Sequence, residues 1–190
     1  MFTYIPKKSK EIYKEIIAHR GYHFKYPENT LKAYEEASKN HLAIELDVRQ
    51  TLDKYIVCIH DRHTKRLLGV RGKTSNETFK TLRKYTILNS KERVPTLSEV
   101  LDVINNTTIL IEVKGNIDSE FREKLKNVLK SYTGKLYFHS KNLLTYYKLK
   151  DIWGKKVFWI LNPFRKRFRY IKTRDYKNNI EKILEKMQKE

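Results

Sequence analysis

Residues 42–61 have the sequence LAIELDVRQTLDKYIVCIHD. They contain two apolar runs, and both carry side chains that can act as metal ligands or proton-transfer groups. The first run holds Glu45 and Asp47 on alternate positions, and the second ends at His60. An earlier run, IIAHRG at residues 16–21, also ends in a histidine and an arginine. Short apolar runs of this kind are typical of buried strands. The sequence therefore predicts consecutive buried strands whose ends carry the reactive side chains.

The rest of the chain alternates predicted strands with predicted helices. Only TLDK, residues 51–54, separates the two runs above, so the strand ending at His60 should pair antiparallel with the strand before it. Elsewhere the alternation implies parallel strands covered by helices. Further strands are predicted at residues 107–113, 135–138 and 156–161, and helices at 30–37, 77–85, 96–104, 118–129 and 142–150.

The length and this alternation predict the fold class. We expect one domain, residues 1–190, with an α/β architecture, and a resemblance to a known family, carried by short motifs between residues 16 and 114, implies the (β/α) TIM-barrel type. A complete eight-stranded barrel needs at least about 200 residues, whereas six or seven strands can be placed here. We therefore expect a shortened or distorted barrel, in which any missing strands are late ones. Irregular closure by the tail, cover from a second subunit and a reduced fold with an open site all stay open.

The net charge is strongly positive, at +19 from 41 Lys and Arg against 22 Asp and Glu. Such a field favours anionic partners such as acidic lipid or a charged polymer, and we do not expect nucleic acid. Residues 165–190 form a basic tail predicted to end in an amphipathic helix, although a plain solvated surface explains the charge equally well. Without a membrane-spanning run or a signal-peptide pattern, we expect a cytoplasmic protein, with peripheral contact to an anionic membrane left open.

Three carboxylates form a candidate metal site. Glu45 and Asp47 face the same side of a strand because alternate residues do. Two carboxylates held this close repel each other unless a cation lies between them. Glu112, near the end of another predicted strand, adds a third oxygen donor. Oxygen donors without a thiolate favour one hard divalent cation, Mg²⁺ or Ca²⁺, with Mn²⁺ also suitable.

A set of short motifs occurs in a fixed order between residues 16 and 114. They are HRG (19–21), PENT (27–30), ELDV (45–48), IHD (59–61), VPTLSEV (94–100) and IEVK (111–114). Their order and spacing closely resemble the glycerophosphodiester phosphodiesterase family, which belongs to the phospholipase C-like phosphodiesterase TIM barrels. Beyond residue 114 the resemblance fades.

The resemblance implies a metal-dependent hydrolase of glycerophosphodiester-like bonds, which releases an alcohol and a phosphomonoester of the sn-glycerol 3-phosphate type. It implies that Glu45, Asp47 and Glu112 bind the metal. It assigns general acid and base roles to His19 and His60, and histidine titrates in the range that these roles need.

Two cationic residues are candidates for substrate binding. Lys114 follows Glu112 on the same strand face, and Arg20 arrives from the first strand. Together they form a clamp for a phosphate, in which arginine can bind two oxygens at once. In the family that the chain resembles, the region matching residues 61–95 is a small insertion over the active-site mouth.

The other histidines are not expected to be catalytic. His41 and His139 stay off the list of candidates, while for His23 and His63, which neighbour the motifs, a place in the pocket stays open.

Two alternative functions also stay open: a phospholipase-like lyase that releases a cyclic phosphate, and a non-catalytic basic module that binds lipid headgroups or polyanions. The expected substrate is a phosphodiester, either a small molecule or a phosphodiester-linked polymer, and an oligomer is possible if the barrel is incomplete.

Overall fold

The computed structural model describes residues 16–159 and the strand at residues 169–171. Seven strands form one sheet in the order β6-β5-β4-β2-β1-β7, with β3 paired to β2 outside this path. The strands are β1 Ile16–His19, β2 Ala43–Gln50, β3 Ile56–Cys58, β4 Ile109–Val113, β5 Leu136–Ser140, β6 Val157–Trp159 and β7 Arg169–Ile171. Within the described residues β6 and β7 are the two edges, so the barrel is not closed, and the predicted distorted (β/α) TIM-type barrel is confirmed.

The pairing directions also agree with the prediction. β2 and β3 pair antiparallel, with Val48 opposite Cys58, because the turn between them is too short to return the chain in parallel. All other ladders of the sheet are parallel.

Six α-helices accompany these strands in the described residues. They are α1 Leu31–Lys39, α2 Lys65–Leu68, α3 Phe79–Leu82, α4 Leu97–Val103, α5 Ser119–Leu129 and α6 Leu143–Trp153. The four longer ones begin at a polar cap that accepts a backbone N–H of the first turn, namely Thr30, Thr96, Asp118 and Asn142. Thr96 and Glu99 form a full capping box. Among the described residues, no helix has the length and apolarity needed to cross a membrane.

The main core lies between the sheet and its covering helices. Ile44, Leu46 and Val48 of β2 are fully buried there, beside Tyr34 of α1 and Leu97 of α4. Because side chains alternate along a strand, the remaining positions of β2 face the inside of the barrel. This alternation places the carboxylates of β2 on the inner face.

The segment between residues 61 and 95 contributes to a smaller, separate core. Leu67, Leu82 and Ile87 are buried there against Val57 and Ile59 from the region of β3. The helix predicted at residues 77–85 is shorter in the structure, because α3 ends at Leu82. That the segment forms an insertion at the mouth of an active site stays a prediction.

One strand was not predicted. β7 lies in the basic tail and pairs in parallel with β1, with Tyr170 opposite Ile17. The arginines and lysines around it leave no alternating or apolar run by which the sequence would predict a strand, and its backbone pairing with β1 defines it. The amino-terminal lead-in, the remainder of the basic tail at 165–190 and its predicted amphipathic helix lie outside the described residues.

Candidate active site

The carboxyl ends of four neighbouring strands bring polar side chains to one end of the barrel. His19 of β1 is level with Glu45 of β2, and Asp47 of β2 is level with Glu112 of β4. Glu112 is in turn level with His139 of β5. Residues paired in this way on parallel strands point to the same face. In β/α barrels the active site is found at this end of the strands.

Two carboxylates of this set share a buried lysine. Lys114 Nζ lies 2.8 Å from Asp47 Oδ1 and 2.5 Å from Glu112 Oε1. Burial favours the neutral acid, but the nearby charges of Lys114 and Arg20 hold the pKa of Asp47 well below its usual range. For Glu112, burial is likewise outweighed by the positive groups around it, and its pKa is lowered. Both side chains are therefore carboxylates at neutral pH.

Asp47 is further fixed by the loop before α1. Asn29 donates a hydrogen bond to Asp47 Oδ2 at 3.1 Å and accepts one from the Asp47 backbone N–H at 3.2 Å. Tyr34 donates its hydroxyl proton to the same amide oxygen at 2.5 Å. Asn29 is buried and has a φ of 55°, a conformation that asparagine tolerates better than most residues. Asn29, the third residue of the PENT motif, thus holds the Asp47 carboxylate in position.

A strained turn after β1 carries Arg20 to the carboxylates. Arg20 has a φ of 59° and Gly21 a φ of 79°, and a Cβ at Gly21 would lie 2.9 Å from Ala33. The turn directs the Arg20 backbone N–H to Glu45 Oε2 at 3.0 Å and its Nε to within 3.3 Å of Asp47 Oδ2. Such strain is common where a functional site needs one geometry.

Two histidines lie against Glu45. His19 Nε2 is 3.9 Å from Glu45 Oε2, and His139 Nε2 is 3.6 Å from Glu45 Oε1. Burial lowers the pKa of His19, and the charge of Glu45 opposes this shift without cancelling it. Glu45 thus contacts the first strand and the fifth strand at once.

His60 belongs to a second, more exposed network. Its Nδ1 lies 2.8 Å from Asp61 Oδ1, and Arg66 of α2 donates to both Asp61 and Glu28. Glu28 also accepts from Arg20 at 2.8 Å. Burial raises the pKa of Glu28, but hydrogen bonds from Arg66 and the charges of both arginines outweigh it and lower the pKa. This network connects the surroundings of His60 to the residue expected to bind phosphate.

The donors that could hold a metal ion differ partly from those predicted. Ligand atoms of Glu45, Glu112 and His139 lie within 4.8 Å of one another, and all three residues are buried. Asp47 is not part of this group, because its oxygens face Lys114, Arg20 and Asn29.

The carboxylates of this region have oxygens that can bind a cation. Asp47 Oδ1 and Glu112 Oε1 are close to Lys114, but neither accepts a well-aligned hydrogen bond within the described residues. Buried polar atoms are normally satisfied, and carboxylate oxygens in this state can bind a divalent ion. The roles of the seven predicted site residues stay predictions, although contacts in the structure link them into one region.

His139 was not among the predicted site residues. It closes an apolar run as His19 and His60 do, but it belongs to no recognised motif, and the predicted strand ended at Phe138. In the structure β5 continues to Ser140, which puts His139 on the strand face that it shares with Glu112.

Comparisons with known proteins identify relatives of this chain. The profile of the Glycerophosphoryl diester phosphodiesterase family matches residues 19–185. Glycerophosphodiester phosphodiesterase 1 of Rattus norvegicus is 37% identical over 123 residues, which are 59% of this chain and 37% of the relative. A glycerophosphodiester phosphodiesterase of Caldanaerobacter subterraneus is 32% identical over 151 residues, 72% of this chain and 60% of the relative. The chain thus spans only part of the length of the relatives that it matches.

Solved structures share the fold. A glycerophosphodiester phosphodiesterase from Thermotoga maritima has a TM-score of 0.64 and 30% identity, covering 80% of this chain and 66% of that one. A phosphodiesterase from Oleispira antarctica, solved in complex with the product sn-glycerol-3-phosphate, has a TM-score of 0.69 and 24% identity, covering 80% of this chain and 70% of that one.

Proposed function

Because the chain belongs to the glycerophosphoryl diester phosphodiesterase family, we propose that it hydrolyses glycerophosphodiesters to an alcohol and sn-glycerol 3-phosphate. The observation that carries the proposal is the convergence of His19, Glu45, Asp47, Glu112 and Lys114 at the carboxyl end of adjacent strands. This arrangement supports the proposal because it brings together a histidine suited to proton transfer, carboxylates suited to a divalent cation and a lysine suited to phosphate.

The reaction exchanges one phosphorus–oxygen bond for another. A water molecule, or first a neighbouring hydroxyl of the glycerol, attacks phosphorus while the bond to the leaving alcohol breaks. One histidine takes the proton of the attacking oxygen and the other gives a proton to the leaving oxygen. We assign this pair to His19 and His60. Asp61 at Nδ1 fixes the ring of His60 and makes Nε2 its reactive nitrogen.

The charge of the phosphate is balanced by groups of this chain and by a divalent cation. Glu45 and Glu112 would hold the cation, which supplies electrostatic stabilisation of the phosphate oxygens when bound. Asp47, the third predicted ligand, would join them by giving up its contact with Lys114. Arg20 and Lys114 supply fixed positive charge on the same side, and their contacts with buried carboxylates keep both side chains in place. Because these positive side chains are already in position before the reaction, they need not reorganise as negative charge develops on the phosphate oxygens.

The surroundings of Lys114 leave room for the substrate. A cavity of about 520 Å³ opens beside Lys114, and its lining includes the basic residues Arg49, Arg62 and Lys73 together with both polar and apolar side chains. A basic cavity of this size can take the polar alcohol of a glycerophosphodiester, and it suits a substrate that carries further negative charge.

The test is a turnover assay on the full chain with glycerophosphocholine and glycerophosphoethanolamine, each with Mg²⁺, Ca²⁺, Mn²⁺ or a chelator. Release of sn-glycerol 3-phosphate that requires a divalent cation is expected. It should fall at least about 100-fold in His19→Ala, His60→Ala and Glu45→Ala. Lys39→Ala, at an exposed residue of α1, is the control and should keep full activity.

Phosphorus NMR of the products distinguishes a hydrolase from a lyase. A phosphomonoester supports the proposal, whereas a cyclic phosphate that accumulates as the final product identifies a lyase. Binding to anionic vesicles without turnover on any substrate would contradict the proposal and favour a basic binding module.

A further inference from the structure

We propose that His139 is a nitrogen ligand of the active-site cation, so that this site prefers Co²⁺ or Zn²⁺ to Mg²⁺ and Ca²⁺. The inference deepens the proposed function and rests on its requirement for a divalent cation. It departs from the expectation of an all-oxygen site, because imidazole suits transition metals whereas carboxylates alone suit Mg²⁺ and Ca²⁺.

The position of His139 places it among the carboxylates. It is level with Glu112 on the neighbouring strand. Its sequence neighbours point elsewhere: Phe138 packs in the main core, and Ser140 donates a hydrogen bond to the Val113 carbonyl. The ring of His139 therefore faces the inside of the barrel, on the side of Glu45 and Glu112.

The distances suit a shared ion. His139 Nε2 lies 3.6 Å from Glu45 Oε1, and the ligand atoms of Glu45, Glu112 and His139 are all within 4.8 Å of one another. Two ligands of one transition-metal ion, each about 2.0–2.2 Å from it, lie roughly 3 to 4.4 Å apart. The three side chains therefore need only small adjustments to bind one ion together.

The hydrogen bonding of His139 points to a missing partner. Its side chain is 3% exposed, and neither ring nitrogen has a hydrogen-bond partner within the described residues. The distance to Glu45 is too long for a hydrogen bond. A buried imidazole without a partner is costly, and a metal ion between His139 and the two glutamates would satisfy Nε2.

In a second cluster of potential metal ligands, a side-chain cation already lies between the carboxylates. Glu28, His60 and Asp61 also bring their ligand atoms within 4.8 Å of one another. There the guanidinium of Arg66 already lies between the carboxylates, 2.6 Å from Asp61 Oδ2 and 2.7 Å from Glu28 Oε1. At the Glu45 cluster, Lys114 and Lys141 lie 2.5 and 3.6 Å from Glu112 Oε1. Within the described residues, however, the ion pairs of Glu45 are with histidines and none is with a lysine or arginine, and His139 has no hydrogen-bond partner. The cluster at Glu45 is thus the better candidate for a metal.

The test measures metal binding rather than turnover. Isothermal titration of the metal-free full chain with Co²⁺, Zn²⁺, Mg²⁺ and Ca²⁺ is compared among the wild type, His139→Gln, His139→Ser and Glu45→Gln. His41→Asn is the matched control, because His41 is exposed at a φ of 54° that asparagine tolerates. Circular dichroism verifies the fold of each variant.

We expect His139→Gln to weaken Co²⁺ and Zn²⁺ binding by about 10- to 100-fold and Ca²⁺ or Mg²⁺ binding by less than about threefold. The wild type should bind Co²⁺ at least about 100-fold more tightly than Ca²⁺, a comparison that needs no variant. His41→Asn should match the wild type.

Co²⁺ affinity that is unchanged in both His139 variants, but lost in Glu45→Gln, would overturn the role of His139 and leave the proposed metal site in place. Wild-type binding of Ca²⁺ as tight as that of Co²⁺ would also overturn it. If Glu45→Gln binds every ion as the wild type does, the metal requirement of the proposed function itself fails.

Discussion

Arg66 Nη2 lies 2.7 Å from Glu28 Oε1, although the two residues are 38 positions apart in the chain. Glu28 belongs to the loop that follows β1, whereas Arg66 belongs to α2. The same guanidinium binds Asp61 through Nε at 2.6 Å. Arg66 is therefore a positioning residue, which acts on the proposed site through Glu28 and Asp61.

Replacing Arg66 should affect turnover more than stability. Arg66→Gln frees Glu28 and Asp61, and we expect kcat to fall about 10- to 100-fold as His60 and Arg20 lose their fixed positions. KM should change less than kcat, and Arg66→Lys, which keeps the charge but not the planar fork, should recover only part of the activity. Steady-state kinetics measure both.

Lys65→Gln is the control for the loss of one positive charge. Lys65 is exposed on the same helix, so this variant loses one positive charge without touching the network. Similar kinetic losses in Lys65→Gln and Arg66→Gln would assign the effect to long-range charge and not to positioning.

The acid stability of the protein should depend on Asp61. Burial raises the pKa of Asp61, but hydrogen bonds from Arg66 and His60 outweigh it and lower the pKa to about 2. A folded-state pKa below the unfolded value of about 3.9 stabilises the fold at pH values above 4. This contribution is lost as the pH falls from about 4 to 2.

Asp61→Asn removes that contribution. The difference in unfolding free energy between wild type and Asp61→Asn should be constant above pH 5 and should shrink as the pH falls below 4. Urea denaturation followed by circular dichroism between pH 3 and 7 measures it. A difference that grows towards acid pH would contradict the assigned direction of the pKa shift.

Lys114 should link stability to metal binding. Its Nζ separates two buried carboxylates, and Lys114→Gln leaves them facing each other, at a cost of about 3 kcal/mol in chelator. A saturating divalent cation should restore part of this loss, since it returns positive charge to the same place and stabilises the folded state by mass action.

Thermal unfolding with chelator and with cation measures this linkage. Lys124→Gln is the control, because Lys124 forms an exposed pair with Glu120 on α5, and such pairs contribute at most about 1 kcal/mol. Equal stability of Lys114→Gln and wild type in chelator would show that Lys114 does not neutralise the carboxylates.

Asn29 combines a side-chain role with a backbone role, and two variants separate them. Asn29→Ala and Asn29→Gly both lose the hydrogen bonds to Asp47, each of which costs about 1–3 kcal/mol when a buried partner is left unsatisfied. Only alanine is strained at a φ of 55°, so Asn29→Gly should be more stable than Asn29→Ala by about 1 kcal/mol. Chemical denaturation measures the difference, and alanine at least as stable as glycine would contradict the backbone argument.

Much of the sheet could be predicted from local patterns. The run from Ala43 to Val48 alternates carboxylates with apolar residues, which fixed both the strand and the face that carries the chemistry. The helices predicted at residues 30–37 and 96–104 correspond to α1 and α4, which begin at the polar caps Thr30 and Thr96, and capping is a local interaction. The antiparallel β3 followed from a turn too short for a helix.

The missed features depend on contacts between distant parts of the chain. β7 has little apolar pattern of its own, and its pairing with β1 defines it. His139 becomes a candidate ligand only when β5 lies beside β4, because the carboxylates that it contacts come from other strands. The links of Arg66 to Glu28 and Asp61 likewise depend on how the segment between residues 61 and 95 folds back.

The pairing of β1 with both β2 and β7 also affects how the chain folds while the ribosome synthesises it. β2 follows β1 closely, whereas the partner of Ile17 on the other side is Tyr170, about 150 residues later. At roughly 5–20 residues per second, a ribosome needs several seconds or more to reach it. During that interval one edge of the first strand lacks its partner, and exposed edges are where nascent chains associate wrongly. The strand that carries His19 is thus among the first to be made and among the last to be fully paired.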